Sequence, residues 1–203
     1  EKFPYTAFSK TYNTDSQTPD SAGTMTAMIT GAKTRMGYLS VSQIPNRGEC
    51  QDSLKHPLTS AMTLAKAAGL STGVVTTTRI THATPGAAYA HTPERNWESD
   101  ADMSESAKSQ GCKDIAQQLL DYSSKTGVDV VMGGGLNKFL PTGSNPKHPD
   151  AKGSRNDQRN LIELWQKQEP NRRFVFSGSQ LASLDLNKTS QITGLFSGDH
   201  MDF

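Results

Sequence analysis

Three short stretches carry side chains that together could hold and cleave a phosphate ester. In Thr18-Pro19-Asp20-Ser21-Ala22-Gly23-Thr24 an extended, proline-bearing run gives way to small, helix-compatible residues. Ser21 then stands at a helix N-terminus, where unpaired N–H groups and the positive end of the helix dipole favour an anion and ease formation of an alkoxide. The plainer alternative is that Asp20 or Ser21 is simply an N-cap. The second stretch, from Val74 to Pro85, runs an apolar strand into a loop bearing His82 and Thr84. Loops at strand C-termini are where open α/β sheets bind ligands; a threonine hydroxyl suits a hard Mg²⁺ ion, and a histidine could order a metal-bound water. The third, from Tyr89 to Asp102, sets one arginine, Arg95, among polar and aromatic neighbours. A guanidinium fork can grip two phosphate oxygens at once. Taken singly, each of these residues is as readily a satisfied loop or surface side chain.

Other chemistries fit less well. A serine acyl hydrolase places glycine two positions before its nucleophile, where this chain has Pro19. Gly133-Gly134-Gly135 follows a strand but lacks the spacing of a dinucleotide fingerprint, and no phosphate-cradling GxxxxGK occurs; close backbone approach at a strand end explains these glycines. Asn187-Lys188-Thr189 has the form of an N-glycosylation acceptor, a pattern that arises often by chance.

The elements that must position these groups alternate short β-branched runs with helical patterns, which predicts a doubly wound, largely parallel sheet with helices on both faces. Gly73 to Thr78 and Val128 to Met132 are the clearest strands, their unbroken apolar character suiting strands covered on both faces. Phe8 to Tyr12, Tyr38 to Val41, Arg173 to Phe176 and Ile192 to Phe196 are weaker ones. Helices are expected at Ser21 to Thr30, Leu58 to Ala68, Met103 to Tyr122, Asn160 to Gln168 and Ser179 to Leu184, the third opened by a capping box of Asp102 and Glu105 and the second closed by a left-handed Gly69. The polar, aperiodic stretch 141–159 is expected to be a surface excursion within a single partial α/β domain spanning 1–203.

With 21 basic against 20 acidic side chains, the net charge of +1 excludes a long-range field that would hold nucleic acid, so any anion must be held locally. No apolar run approaches the roughly 20 residues that span a bilayer, and the chain opens at Glu1 without a hydrophobic leader, as a processed or truncated soluble piece would. Cys50 and Cys112 lack CxxC spacing; they form either one long-range disulfide, implying a periplasmic, secretory or extracellular setting, or two buried thiols.

In this order the three stretches resemble the animal-type branch of the alkaline phosphatase family, which also has bacterial members. The likeness runs from Tyr12-Asn13-Thr14 and Pro19 to Thr24, through Val74 to Arg79 and His82-Ala83-Thr84-Pro85, to Asn96-Trp97 and Ser99-Asp100. It resumes at Gly111-Cys112-Lys113-Asp114-Ile115-Ala116, Met132 to Gly135 and Gly194-Leu195-Phe196, nearly the whole chain. Several motifs in one order are far harder to obtain by chance than any one of them.

The resemblance implies a phosphate monoester hydrolase in which Ser21 is phosphorylated during turnover, Arg95 clamps the phosphate, Asp20 orients that arginine, and two Zn²⁺ ions and one Mg²⁺ ion assist. Ser21 would also touch zinc, Thr84 would ligate magnesium, and His82 would stand beside the magnesium site, where some bacterial members have aspartate. It further implies a Cys50–Cys112 disulfide and a homodimer of the full-length enzyme. The glutamates of an additional calcium site in animal members would align near Lys147 and at Ser197, neither of which offers a carboxylate, so that site is expected to be absent. A full family member is roughly twice this length, with most of its metal ligands elsewhere, so this stretch alone is expected to be inactive. Rival readings are another hydrolase of the same superfamily, although Ser21-Ala22-Gly23 does not supply a sulfatase motif, and a phosphate-binding protein without turnover.

Overall fold

The computed structural model describes residues 3–125, 127–144 and 151–202. Its centre is a four-stranded parallel sheet built from β1 (Gly73–Arg79), β2 (Val130–Gly134), β3 (Arg172–Val175) and β4 (Gln191–Leu195) in the order β1-β2-β4-β3. Residues align across it in register: Val74 with Val131, Val131 with Thr193, and Thr193 with Phe174. Helices α1 (Ser21–Thr30), α2 (Cys50–Ser53), α3 (Ala61–Ala67), α4 (Ala83–Gly86), α5 (Glu105–Ser109), α6 (Ile115–Lys125), α7 (Leu161–Gln168) and α8 (Gly178–Ala182) complete the α/β architecture. Val131 and Leu195 of the sheet join Ala22 of α1, Ile115 and Leu119 of α6, and Leu161 and Trp165 of α7 in one core.

The expected parallel sheet and flanking helices are present, with local differences. The burial of β1 alternates rather than running unbroken, because successive side chains point to opposite faces and one of them is exposed: Val75 is 73% exposed beside the half-buried Val74. Residues 8–12 are exposed and pair with no strand among the described residues. Tyr38 to Val41 is buried but makes only isolated bridges, Leu39 with Thr92 and Val41 with Pro57. The long helix expected from Met103 to Tyr122 is instead a 3-10 turn (Asp100–Asp102), α5 and α6, separated at Gly111, whose φ of 89° no helix admits. Its capping box moves accordingly: Ser99 and Asp102 form one around the 3-10 turn, while Ser104 caps α5 through Ala107 N. Gly69 does adopt the left-handed conformation, φ 79°, just past α3.

Cys50 and Cys112 are joined in a disulfide that ties α2 to the start of the α6 region and sits with Trp97, Met103 and Ala107 in a second, smaller core. Of the polar stretch 141–159, residues 145–150 lie outside the described residues, and Pro141 bridges back to Arg155, which is only 1% exposed. No helix among the described residues is long and apolar enough to cross a membrane.

Candidate active site

α1 begins where the sequence places its turn. Asp20, extended at φ −103°, ψ 170°, caps it, with Oδ1 accepting from Gly23 N at 2.9 Å, and Ser21 is its first residue. The half-buried Ser21 has no hydrogen-bond partner for its hydroxyl among the described residues. The N-cap reading therefore holds for Asp20, and Ser21 stands in the first turn of α1, where helix N–H groups are unpaired.

Asp20 is fully engaged. Oδ1 also accepts from Asn13 Nδ2 at 2.9 Å, while Oδ2 accepts from Gly37 N at 2.9 Å and from Arg95 Nη1 at 3.1 Å. Burial pushes this carboxyl's pKa up, but the bonds from Gly23, Asn13, Arg95 and Gly37 together outweigh it and hold the group below the ordinary aspartate value. Asn13 packs so closely under the helix that a Cβ on Gly23 would lie 2.7 Å from its Oδ1.

Arg95 comes from the loop after α4, 22% exposed, and bridges two of the predicted stretches. Nη1 reaches Asp20, and Nη2 lies 3.2 Å from Nε2 of His82. Its remaining N–H groups have no partner among the described residues and are left to donate. The neighbouring Glu94 does not compete for it, because Arg47 holds that carboxylate through two bonds of 2.8 and 3.1 Å.

His82 precedes α4 at the end of β1. Burial lowers its pKa, and the Arg95 charge lowers it further, which keeps Nε2 available as an acceptor for Arg95. Its Nδ1 is buried without a hydrogen-bond partner among the described residues. Thr84, two residues on, is exposed on α4 and lines a groove of about 290 Å³ with Met25 and Ile29 of α1 and Val74 and Thr76 of β1. The structure thus brings Asp20, Arg95 and His82 into direct contact, with Ser21 and Thr84 attached by chain adjacency. Thr84 makes no hydrogen bond to Arg95 or Ser21 among the described residues.

Among the described residues no group of three or more His, Cys, Asp or Glu side chains is gathered to hold a metal ion. The unbonded hydroxyl of Ser21 and the exposed hydroxyl of Thr84 suit an oxygen-preferring cation. They fall short of the three protein ligands that a catalytic zinc takes. Ser197, where a calcium-site glutamate would align, instead accepts from Gly135 N and Leu136 N with its carbonyl and donates its hydroxyl to His200 O; Lys147 lies outside the described residues.

The sequence gives no sign of several supporting groups: the Asn13 side chain and the Gly37 backbone N–H on Asp20, and the cluster of Arg79, Glu98, Asp199 and His200 behind His82. Asn13 lies in one of the motifs of the family resemblance, but its partner is legible only in three dimensions.

Comparison with known proteins shows the family and the fold. Residues 1–203 match the family model described as alkaline phosphatase. Rat and human tissue-nonspecific alkaline phosphatases are 42% and 41% identical over 210 aligned positions, covering the whole chain but 40% of the relative, and an alkaline phosphatase of Gadus morhua is 42% identical over 202. Among solved structures, a cold-active alkaline phosphatase from a psychrophilic Shewanella superposes with a TM-score of 0.65 at 28% identity, over 95% of this chain and 36% of that one. A Thermus thermophilus alkaline phosphatase gives 0.66 at 25%, over 95% and 31%.

The fold is therefore a partial one of the alkaline phosphatase type, with its serine at a helix N-terminus. The chain belongs to the alkaline phosphatase family. It spans about 40% of the length of the curated relatives it matches.

Proposed function

We propose that this chain supplies the nucleophile and the phosphate clamp of a metal-dependent phosphate monoester hydrolase that turns over through a phosphoserine at Ser21. The observation that carries the reading is the placement of Arg95 against both Asp20 and His82, beside the N-terminus of α1. In the first half-reaction Ser21 Oγ loses its proton to water and bonds to phosphorus as the P–O bond to the leaving group breaks, and the departing alkoxide takes a proton from water to leave as the alcohol. In the second, water adds to the phosphoserine and releases inorganic phosphate and the free hydroxyl. Arg95 and the helix amides balance charge on the phosphoryl oxygens throughout, and Asp20 keeps the guanidinium aimed.

The two Zn²⁺ ions implied by the family would supply Lewis acidity to the displacement, and the Mg²⁺ ion would sit toward Thr84. Ser21, Thr84 and His82 are this chain's residues toward them. Substrate breadth follows, since the phosphate rather than the alcohol is gripped. The disulfide supports a periplasmic or extracellular setting, where such bonds persist. In this reading the 203 residues are part of one α/β domain of a longer, homodimeric enzyme.

The test uses the full-length protein with Zn²⁺ and Mg²⁺. Labelled phosphate should be trapped on the wild type at low pH and not on Ser21→Ala; label retained on the mutant would refute the nucleophile. Arg95→Ala should weaken inorganic phosphate binding by about 1.5–3 kcal/mol, the range for a charged hydrogen bond. Phosphate bound tightly without hydrolysis of 4-nitrophenyl phosphate would instead make this a binding protein.

A further inference from the structure

Behind the contact of Arg95 with His82 lies a second group of side chains that the chemistry above does not use. We propose that His200, in the loop following β4, is a positioning residue: its ring fixes the orientation of the His82 imidazole and, through it, the Arg95 guanidinium. This inference rests on the reading of Arg95 as the phosphate clamp.

His82 has little else to hold it. One ring nitrogen meets Arg95 Nη2 at 3.2 Å and the other has no partner among the described residues. A ring tied at one point can turn about its terminal torsion, which is broad for histidine. What blocks that turn is His200, whose ring stands edge-on to His82 with centroids 5.4 Å apart and an interplanar angle of 71°.

His200 itself is held from several sides. Its Nδ1 lies 3.1 Å from Arg79 N and its Nε2 lies 2.9 Å from Arg79 Nη1. A neutral imidazole has one acceptor nitrogen, so only one of these two Arg79 N–H groups is bonded to the ring at a time, and the tautomer decides which. Its backbone N–H donates to Asp199 Oδ1 at 2.8 Å, and its carbonyl accepts from Ser197 Oγ at 2.9 Å.

Arg79 is equally constrained: Nε and Nη2 grip Glu98 at 2.8 and 2.7 Å, Nη1 reaches Asp199 at 2.6 Å, and Thr81 Oγ1 donates to the same Glu98 at 2.7 Å. The loop crosses the ends of β1 and β2 so closely that Gly135 N donates to Asp199 O at 2.8 Å, Met201 N donates to Thr77 O at 2.8 Å, and a Cβ on Gly134 would sit 2.1 Å from Asp199 O. The side chain that this rigid loop turns toward the candidate active site is the His200 ring.

Three replacements in the full-length protein separate a wall from an anchor. His200→Ala removes both ring and acceptor, His200→Phe keeps the ring, and His200→Asn keeps a polar acceptor for Arg79 N–H without a ring. His200→Ala should lower kcat/KM for 4-nitrophenyl phosphate about 10- to 100-fold, the scale of a small misplacement of a binding group, chiefly through KM. It should weaken binding of inorganic phosphate to the same degree. His200→Phe should restore both and His200→Asn neither.

A readout independent of turnover is the long-range ¹H–¹⁵N spectrum of the imidazoles. His82 should occupy one tautomer, protonated on Nδ1, in the wild type and His200→Phe, and a mixture in His200→Ala. Restoration by His200→Asn but not His200→Phe would overturn the proposal, as would an unchanged His82 signal with unchanged phosphate binding in His200→Ala. An Arg95→Ala variant that binds phosphate normally defeats the clamp itself. Loss in Arg95→Ala with full retention in His200→Ala defeats only the positioning role.

Discussion

Asp20 divides two tasks between two oxygens, one capping α1 through Gly23 N and the other holding Arg95 and Gly37 N. The tasks separate by substitution. Asp20→Asn keeps a side-chain acceptor for the cap but loses the charge that aims the guanidinium; Asp20→Ala loses both. Urea melts should show Asp20→Ala less stable than Asp20→Asn by about 1 kcal/mol, the typical worth of an N-cap. Phosphate binding should weaken in both variants. The cap was legible in the sequence, since aspartate before a run of small residues signals a helix start. Of the partners of the second oxygen, Arg95, 75 residues away, was expected only through the family resemblance, and Gly37 N, 17 residues away, was not expected at all.

Among the elements, α3 and the β2 entry are joined by Lys66, whose Nζ contacts both oxygens of Asp129 at 2.8 and 2.9 Å, while Thr72 N, just before β1, donates to the same carboxylate at 2.7 Å. Burial raises the Asp129 pKa, but Lys66 and Thr72 outweigh it and the net shift is downward. A depressed carboxyl contributes stability that is complete above its unfolded value, about 3.9, and is lost as pH falls through the folded value. The stability difference between wild type and Asp129→Asn should therefore be largest near neutrality and shrink below about pH 4, measured by denaturant titration at several pH values. Local signals located α1, through Asp20 before a run of small residues, and short β-branched or apolar runs located the four strands, although the same kind of run at 8–12 and 38–41 forms none among the described residues. Periodicity ran α5 and α6 together, since Gly111 inside an otherwise helical pattern reads as tolerated until its positive φ is seen.

At the scale of the whole molecule, Arg155 joins segments far apart in the chain. Its guanidinium, 1% exposed, donates to Asp114 at 3.1 and 2.9 Å, to Asp157 at 3.0 and 2.6 Å and to Lys138 O, so it ties the stretch after the undescribed residues to the start of α6. Burial pushes the Asp114 carboxyl up despite this partner. Arg155→Met should cost about 3–5 kcal/mol, because it leaves buried acids without their counter-ion. Thermal or urea unfolding would measure it, and Arg155→Met with Asp114→Asn should recover part of the loss. The Cys50–Cys112 bond closes a 62-residue separation, for which chain entropy gives about 4 kcal/mol.

The linear chain by itself determined that a serine would open a helix, that a loop bearing His82 and Thr84 would follow a strand with Arg95 beyond it, and that the strands would be parallel. These are consequences of local preference and burial period, both written in neighbouring residues. Tertiary structure alone decided which groups meet: Asn13 under Asp20, Arg155 inside rather than outside, and His200 brought from the end of β4 to the side of His82. Strand order sets those meetings, and no residue encodes strand order in its own surroundings.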